Sequence, residues 1–304
     1  MKRSIVLAIA ALLVVFGGGF VAFTVLFADK PKAVAEETPP PIVEPEESDA
    51  ATLVNNEIRA SEIKGVVERL KEDGTWVPVA AGDKLAMTDE VRTGPEGQAT
   101  FSIGADTSVD IAEATSMGFV EISDAVSKIR LSDGRVAASS EGRKVRIEVK
   151  NSDAVAESSD GSFAVLTEGE GNVTVASQRG EVLLSAQGES VKIDEGTQSV
   201  VLPNSAPSKP TVIPSSLFLK VRRPKADALL QSAMLEGSAS PGAIINIGGE
   251  RIPVGSDGAF KRKVKLGVGT RDIRVTVVDA AGRKETQAVR VITPNANTKG
   301  SVEW

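Results

Sequence analysis

Histidine, cysteine and tyrosine are absent from the 304 residues, and tryptophan occurs only twice. Without histidine or cysteine, no Ser-His-Asp or Cys-His nucleophile system can form. The same absences remove the imidazole and thiolate ligands on which nearly all zinc sites rest. No disulfide can staple the chain, so each folded part depends on its own core. The scarcity of aromatics also argues against a transmembrane barrel, which carries aromatic girdles. Three chemistries remain open: glycoside hydrolysis by paired carboxylates, an oxygen-ligand calcium site and a Ser-Lys pair. Ser61 and Lys64 have the Ser-x-x-Lys spacing but lack its companion motifs. Neither a cofactor nor a resident metal is expected.

What the chain does contain begins with an uncharged run of about 25 residues, Ser4 to Ala28, long enough for one helix across a hydrocarbon core roughly 30 Å thick. Lys2 and Arg3 precede it, which orients the amino terminus to the cytoplasm and everything after Ala28 to the outside. A cleaved signal peptide is the competing reading, with Ala33-Val34-Ala35 as a small-residue cleavage site. A signal's apolar region is shorter, about 7 to 15 residues. The expectation is therefore a single-pass membrane protein, spanning through residues 4–28, with the bulk of the chain outside. Residues 29–57 are rich in Pro and Glu and read as a disordered spacer.

From Ile58 the texture changes to short alternating runs such as "GVVERL", "KIRLSDGRV", "KVRIEV", "SFAVL", "NVTVAS", "EVLLSA" and "SVKI". Each has strand length and β-branched character, and none forms a long amphipathic helix. The Asp-Gly pairs at 73–74, 133–134, 160–161 and 257–258 are expected to be hairpin turns, because glycine accepts positive φ without steric cost. A Pro-rich stretch at 203–216 interrupts the pattern as a linker or an edge. Charge changes sign across it. Residues 59–206 hold 15 basic and 25 acidic side chains, a net −10, whereas residues 207–304 hold 16 and 8, a net +8. The chain reads as all-β, with parts at 58–202 and 217–294 and a tail at 295–304.

The stretch "GDKLAMTDEVRTGPEGQATF" concentrates charge between glycines. Apolar residues sit there at period two, and Asp83 and Asp89 fall where strands must reverse. They are placed to accept backbone amides in turns, with Arg92 bracing a neighbouring carboxylate or carbonyl and Trp76 in the core. Catalysis by a carboxylate pair is the competing reading of the same residues.

With its upstream neighbours the stretch reads Gly65-x-Val67, then Trp76-x-x-Val79-x-x-Gly82-Asp83-x-Leu85. Asp89-x-Val91-x-Thr93-Gly94-x-x-Gly97-x-Ala99 follows. This series resembles the FecR-like domain family, and residues 128–198 resemble its later strands, with Ser159 to Ser162 replacing an Arg-Gly-Thr run ahead of Phe163. The resemblance implies a FecR-like β-roll or sandwich of short strands, in which Gly65, Trp76, Gly82, Asp83, Asp89, Arg92, Thr93, Gly94 and Gly97 form a structural motif. It also implies signalling across a membrane through a cytoplasmic segment acting on a sigma factor. Only Met1, Lys2 and Arg3 precede the apolar run, so a signal is expected to pass through a partner's helix or to stay outside.

The segment "AMLEGSASPGAIINIGGERIPVGSDGAFKRKVKLGVGTRDIRVTVVDAAGRKETQAVRVITP" resembles a bacterial immunoglobulin-like module. Its short strands and regular turns point to a two-sheet β-sandwich.

Within it, "FKRKVKL" sets Phe260, Val264 and Leu266 on one face and Lys261, Lys263 and Lys265 on the other, the ammonium groups about 7 Å apart. The run from Lys220 to Lys225 is expected to add to this patch. A lysine-guarded edge strand accounts for this pattern. So does an anion-binding face for an acidic glycan, a phosphate-bearing glycolipid or the chain's own acidic half. Nucleic acid is not an expected partner, because no aromatic stacking platform accompanies the lysines.

The functional expectation is a non-enzymatic envelope protein acting through protein partners, with glycan or peptidoglycan recognition as the alternative. Replacing the three lysines by glutamate is expected to lower recovery of envelope fractions at low salt more than at high salt. Unchanged, salt-insensitive recovery would remove the anion-binding reading.

Overall fold

The computed structural model describes residues 56–222, 224–227, 232–266 and 269–293. The apolar run at 4–28, nearly all of the spacer and the tail lie outside the described residues. Among the described residues every regular element is a strand, and no helix is long and apolar enough to cross a membrane.

The N-terminal part opens with β1 (Ile58–Lys64), β2 (Val67–Leu70), β3 (Trp76–Pro78), β4 (Lys84–Leu85) and β5 (Glu90–Thr93). It continues through β6 (Gln98–Ile103), β7 (Thr107–Ile111), β8 (Ser116–Ile122), β9 (Val126–Val149) and β10 (Val155–Thr167). It closes with β11 (Val173–Gly180), β12 (Val182–Ala186), β13 (Glu189–Ile193), β14 (Thr197–Val201) and β15 (Thr211–Val212).

All of these pair antiparallel in one branched sheet. One path runs β15-β14-β11-β10-β9-β7-β6-β1-β4, while β8, β5, β2 and β3 branch from the first half of β9, and β12 and β13 from the first half of β10. The branches close over a single core. Phe101 of β6 meets Phe119 of β8 edge to face, with centroids 5.7 Å apart, the geometry that aromatic quadrupoles favour. Ile58, Ile129, Val145, Ile147 and Leu184 pack in the same cluster.

Two expectations are corrected here. The runs "KIRLSDGRV" and "KVRIEV" are not separate short strands, because both belong to the 24-residue β9. Asp133-Gly134 and Asp160-Gly161 are not hairpin turns either. Asp133-Gly134 lies inside β9 and Asp160-Gly161 inside β10, where the ladders slip register. The need for positive φ is real, but a bulge meets it as well as a turn does. Gly134 has φ of 100°, and a Cβ there would stand 2.3 Å from Thr115 Oγ1. Asp73-Gly74 does turn between paired strands, as read, with Asp73 accepting the Thr75 amide.

The Pro-rich stretch supplies an edge: Thr211 and Val212 pair with β14, and Ile213 donates its amide to Gly196.

The C-terminal part comprises β16 (Leu219–Val221), β17 (Lys225–Asp227), β18 (Ser232–Ala239) and β19 (Ile244–Ile247). After these come β20 (Glu250–Pro253), β21 (Ala259–Lys265), β22 (Gly269–Val278) and β23 (Lys284–Thr293). β18 joins β16, β17 and β21 in one four-stranded sheet, and β20-β19-β22-β23 form another. Leu235, Ile245, Phe260, Val275 and Val277 fill a second core. Asp257-Gly258 turns between β20 and β21, which belong to different sheets.

Phe101→Ala is expected to cost about 3–5 kcal/mol through the cavity left behind. Gly134→Ala should cost at least about 1–3 kcal/mol through its strained φ. Both are read from denaturant midpoints of the full chain, and a wild-type midpoint for Gly134→Ala would refute the bulge argument.

Candidate functional site

The charged stretch first read from the sequence is structural. Ala80 to Asp83 and Ala86 to Asp89 form the same turn twice. In each, the aspartate carboxylate accepts the alanine amide three residues earlier, at 2.9 Å and 3.0 Å, while its own amide donates to that alanine's carbonyl. Both acids are occupied as turn braces, and Asp89 also lies 3.4 Å from Arg69.

Arg92 braces Glu68, Nε to Oε2 at 2.8 Å, as expected for a neighbouring carboxylate. Trp76 is not a fully buried core residue. It is partly buried, and its ring carries the Arg92 guanidinium 4.0 Å from its centroid, a cation–π contact that suits a planar cation. Thr93 is buried, donating to Ala112 O at 2.6 Å and accepting the Thr115 amide. Gly65 and Gly82 lie at loops, and Gly94 donates to Val66 O. A Cβ on Gly97 would stand 2.5 Å from that same carbonyl.

The lysine row is placed as the alternation required. Lys261, Lys263 and Lys265 are exposed on β21, which pairs only with β18 among the described residues. Phe260 points inward, and Arg262 on that same side ion-pairs with Glu250. Across the sheet, Lys261 lies opposite Glu236 and holds it at 2.8 Å. Exposed Lys220 and Arg222 extend the basic face on the far side of β18, where Lys220 pairs with Ser238 and the Arg222 amide donates to Glu236.

The sequence reading missed a seam between the two cores. The described residues belong to one compact unit, Thr52–Trp304. Leu166 and Ala176 of the first part pack with Ile244 and Ala280 of the second, joined by Ile213 of the Pro-rich stretch.

Polar bonds surround this apolar patch. Arg251 donates to Asp133 Oδ1 at 2.5 Å, Thr167 O at 3.2 Å and Ala114 O at 3.3 Å. Lys284 Nζ meets Glu113 Oε1 at 2.5 Å, and Arg135 Nε donates to Ala280 O at 2.7 Å. Thr174 donates to Gly242 O and Gln198 to Pro241 O. The acidic half is thus met through Arg251 and Lys284, not through the lysine row.

Beside the seam open two adjoining cavities of about 620 and 690 Å³. Arg135, Glu113, Glu96, Val278 and Lys284 line both. Burial is the main influence on Arg135 and lowers its pKa, against the pull of Asp279 and Asp110.

Residues 89–183 match the family model described as FecR protein. The chain therefore carries a FecR-like segment, and the resemblance read from its glycines and aspartates holds across β5 to β11. Gly65, Trp76, Gly82 and Asp83 precede the matched span. No curated protein matches. Two solved structures, each titled a "putative anti-sigma factor" from Parabacteroides distasonis ATCC 8503, are 15% and 16% identical, both with a TM-score of 0.35. Each match covers 40% of this chain and 59% of the other, so the chain spans less than two thirds of those structures.

The seam should respond to acid. The Lys284 hydrogen bond, first among its influences, holds Glu113 below the usual carboxylate range. Stability from that pair is present above the ordinary carboxylate pKa and is lost as pH falls through the lowered value. Asp133 has the opposite sign. Burial outweighs Arg251 and raises its pKa, so its contribution favours the folded state at low pH and is lost as pH rises through the raised value. Glu113→Gln removes only the first contribution. Between about pH 6 and about pH 3, the denaturant midpoint of wild type is expected to fall further than that of Glu113→Gln. Equal falls would show that the pair does not stabilise the fold.

Proposed function

We propose that the chain is a non-catalytic regulatory protein of the bacterial envelope, which presents its FecR-like segment and C-terminal sandwich to protein partners in signalling. The observation that carries this reading is the FecR protein match over residues 89–183.

Two features support it. Asp83 and Asp89 of the charged stretch are committed to turn amides, and Asp89 also to an arginine, which fits display better than acid–base work by that pair. The seam then holds both β-parts in one unit, so that a partner meets a composite surface. The immunoglobulin-like character of the second part is part of the proposal, and its two four-stranded sheets around one core are compatible with it. Anchoring by residues 4–28, with the bulk of the chain in the periplasm, is proposed from hydropathy and the leading positive charges.

Crosslinking of the full chain in native membranes, followed by mass spectrometry, is expected to recover discrete protein adducts. Deleting residues 1–28 should release the chain from the membrane fraction. Turnover of labelled wall polymer by the purified chain, or an absence of protein adducts, would overturn the reading.

A further inference from the structure

The 690 Å³ cavity beside the seam falls in the size range of sites for small molecules and short peptides. Its lining includes four cations, Arg135, Arg251, Arg274 and Lys284, against two carboxylates, Glu96 and Glu113.

Arg251 and Lys284 are already used on Asp133 and Glu113. Arg135 and Arg274 are not. Arg135 spends only Nε, on the Ala280 carbonyl, and among the described residues neither guanidinium has a carboxylate within salt-bridge distance. Gly282 opens the approach to Arg135, because a Cβ there would stand 3.0 Å from Cζ. Arg135 is half-buried and, although Asp279 and Asp110 pull on it from a distance, no carboxylate touches it, so a bound anion offsets part of the cost of its burial; Arg274 is exposed and open to a ligand. The planar fork of arginine suits a carboxylate, which accepts two parallel hydrogen bonds.

The spacing narrows the ligand further. Val278 lines both cavities with Arg135, and Arg274 stands four residues back along β22. At the rise of a strand that is about 13 Å, more than one small acid spans and what about four extended residues cover. Asn246, Thr276 and Thr286 lie on the cavity wall between them.

We propose that this cleft binds an acidic peptide segment of a protein partner, with carboxylates on Arg135 and Arg274. The assignment rests on the partner-binding reading above and gives that partner a chemistry. If it fails, the crosslinking adducts still stand on their own.

The test titrates the full chain in detergent with labelled, acetylated tetraglutamate, and separately with tetraglutamine and with glutarate. Saturable binding of tetraglutamate that weakens with salt is expected, with little binding of the other two. Arg274→Gln and Arg135→Gln should each weaken it by about 10-fold or more, and Lys263→Gln on the other sheet should leave it unchanged. The Arg274 side chain makes no hydrogen bond among the described residues, so its variant reads the site even where Arg135→Gln disturbs the seam. No saturable binding, glutarate binding as tight as the peptide's, or a loss caused by Lys263→Gln but not by Arg274→Gln would each overturn the proposal.

Discussion

Arg251 makes more polar contacts across the seam between the two cores than any other side chain there. Its guanidinium leaves the second sheet of the C-terminal part and meets the Asp133 carboxylate and the carbonyls of Thr167 and Ala114. Those acceptors come from three places in the N-terminal part, so one planar cation ties three segments of it to β20. An ion pair of this exposure adds little to stability by itself. Its contribution is geometric, because a partly buried Asp133 is satisfied in one arrangement of the two halves. The apolar contact of Leu166, Ala176, Ile244 and Ala280 supplies the non-directional attraction that this geometry orients.

The acceptors are there because β9 is bent. Ser132 is the extra residue of a bulge against β8, where Ser116 faces Asp133 and Met117 faces Leu131. A bulge re-aims side chains and sharpens twist. Arg135 follows at once, and its Nε reaches the Ala280 carbonyl. One irregularity in the longest strand therefore precedes both anchor points, and the cavities lie beside them.

Charge acts at two scales. The halves carry opposite net charge, −10 and +8, which favours their approach over distances of about a Debye length. Contact itself uses only a few of those charges. The row Lys261, Lys263 and Lys265 stays exposed, partly matched by Glu236, on a strand that pairs only with β18 among the described residues.

The strand-forming runs, the turn at Asp73-Gly74, the bracing role of Asp83 and Asp89 and the outward lysines were legible from the sequence. Each depends on neighbours a few residues away, through period-two alternation or the short reach of an aspartate. The burial of Trp76 was misjudged because Arg92, which covers one ring face, lies on a strand two elements further on. Asp133-Gly134 was misread because the dipeptide records a need for positive φ and not whether the chain reverses or merely bends there.

Composition and local patterning were enough to determine an all-β fold for the described residues, in a chain without histidine or thiol chemistry, since those properties belong to each segment separately. The seam and its cleft were decided by tertiary structure alone. Arg251 and Asp133 lie 118 residues apart, Arg135 and Ala280 145, and Lys284 and Glu113 171. At such separations nothing in either segment marks its counterpart, and only the bend of β9 and the packing of the two cores bring them within bonding distance.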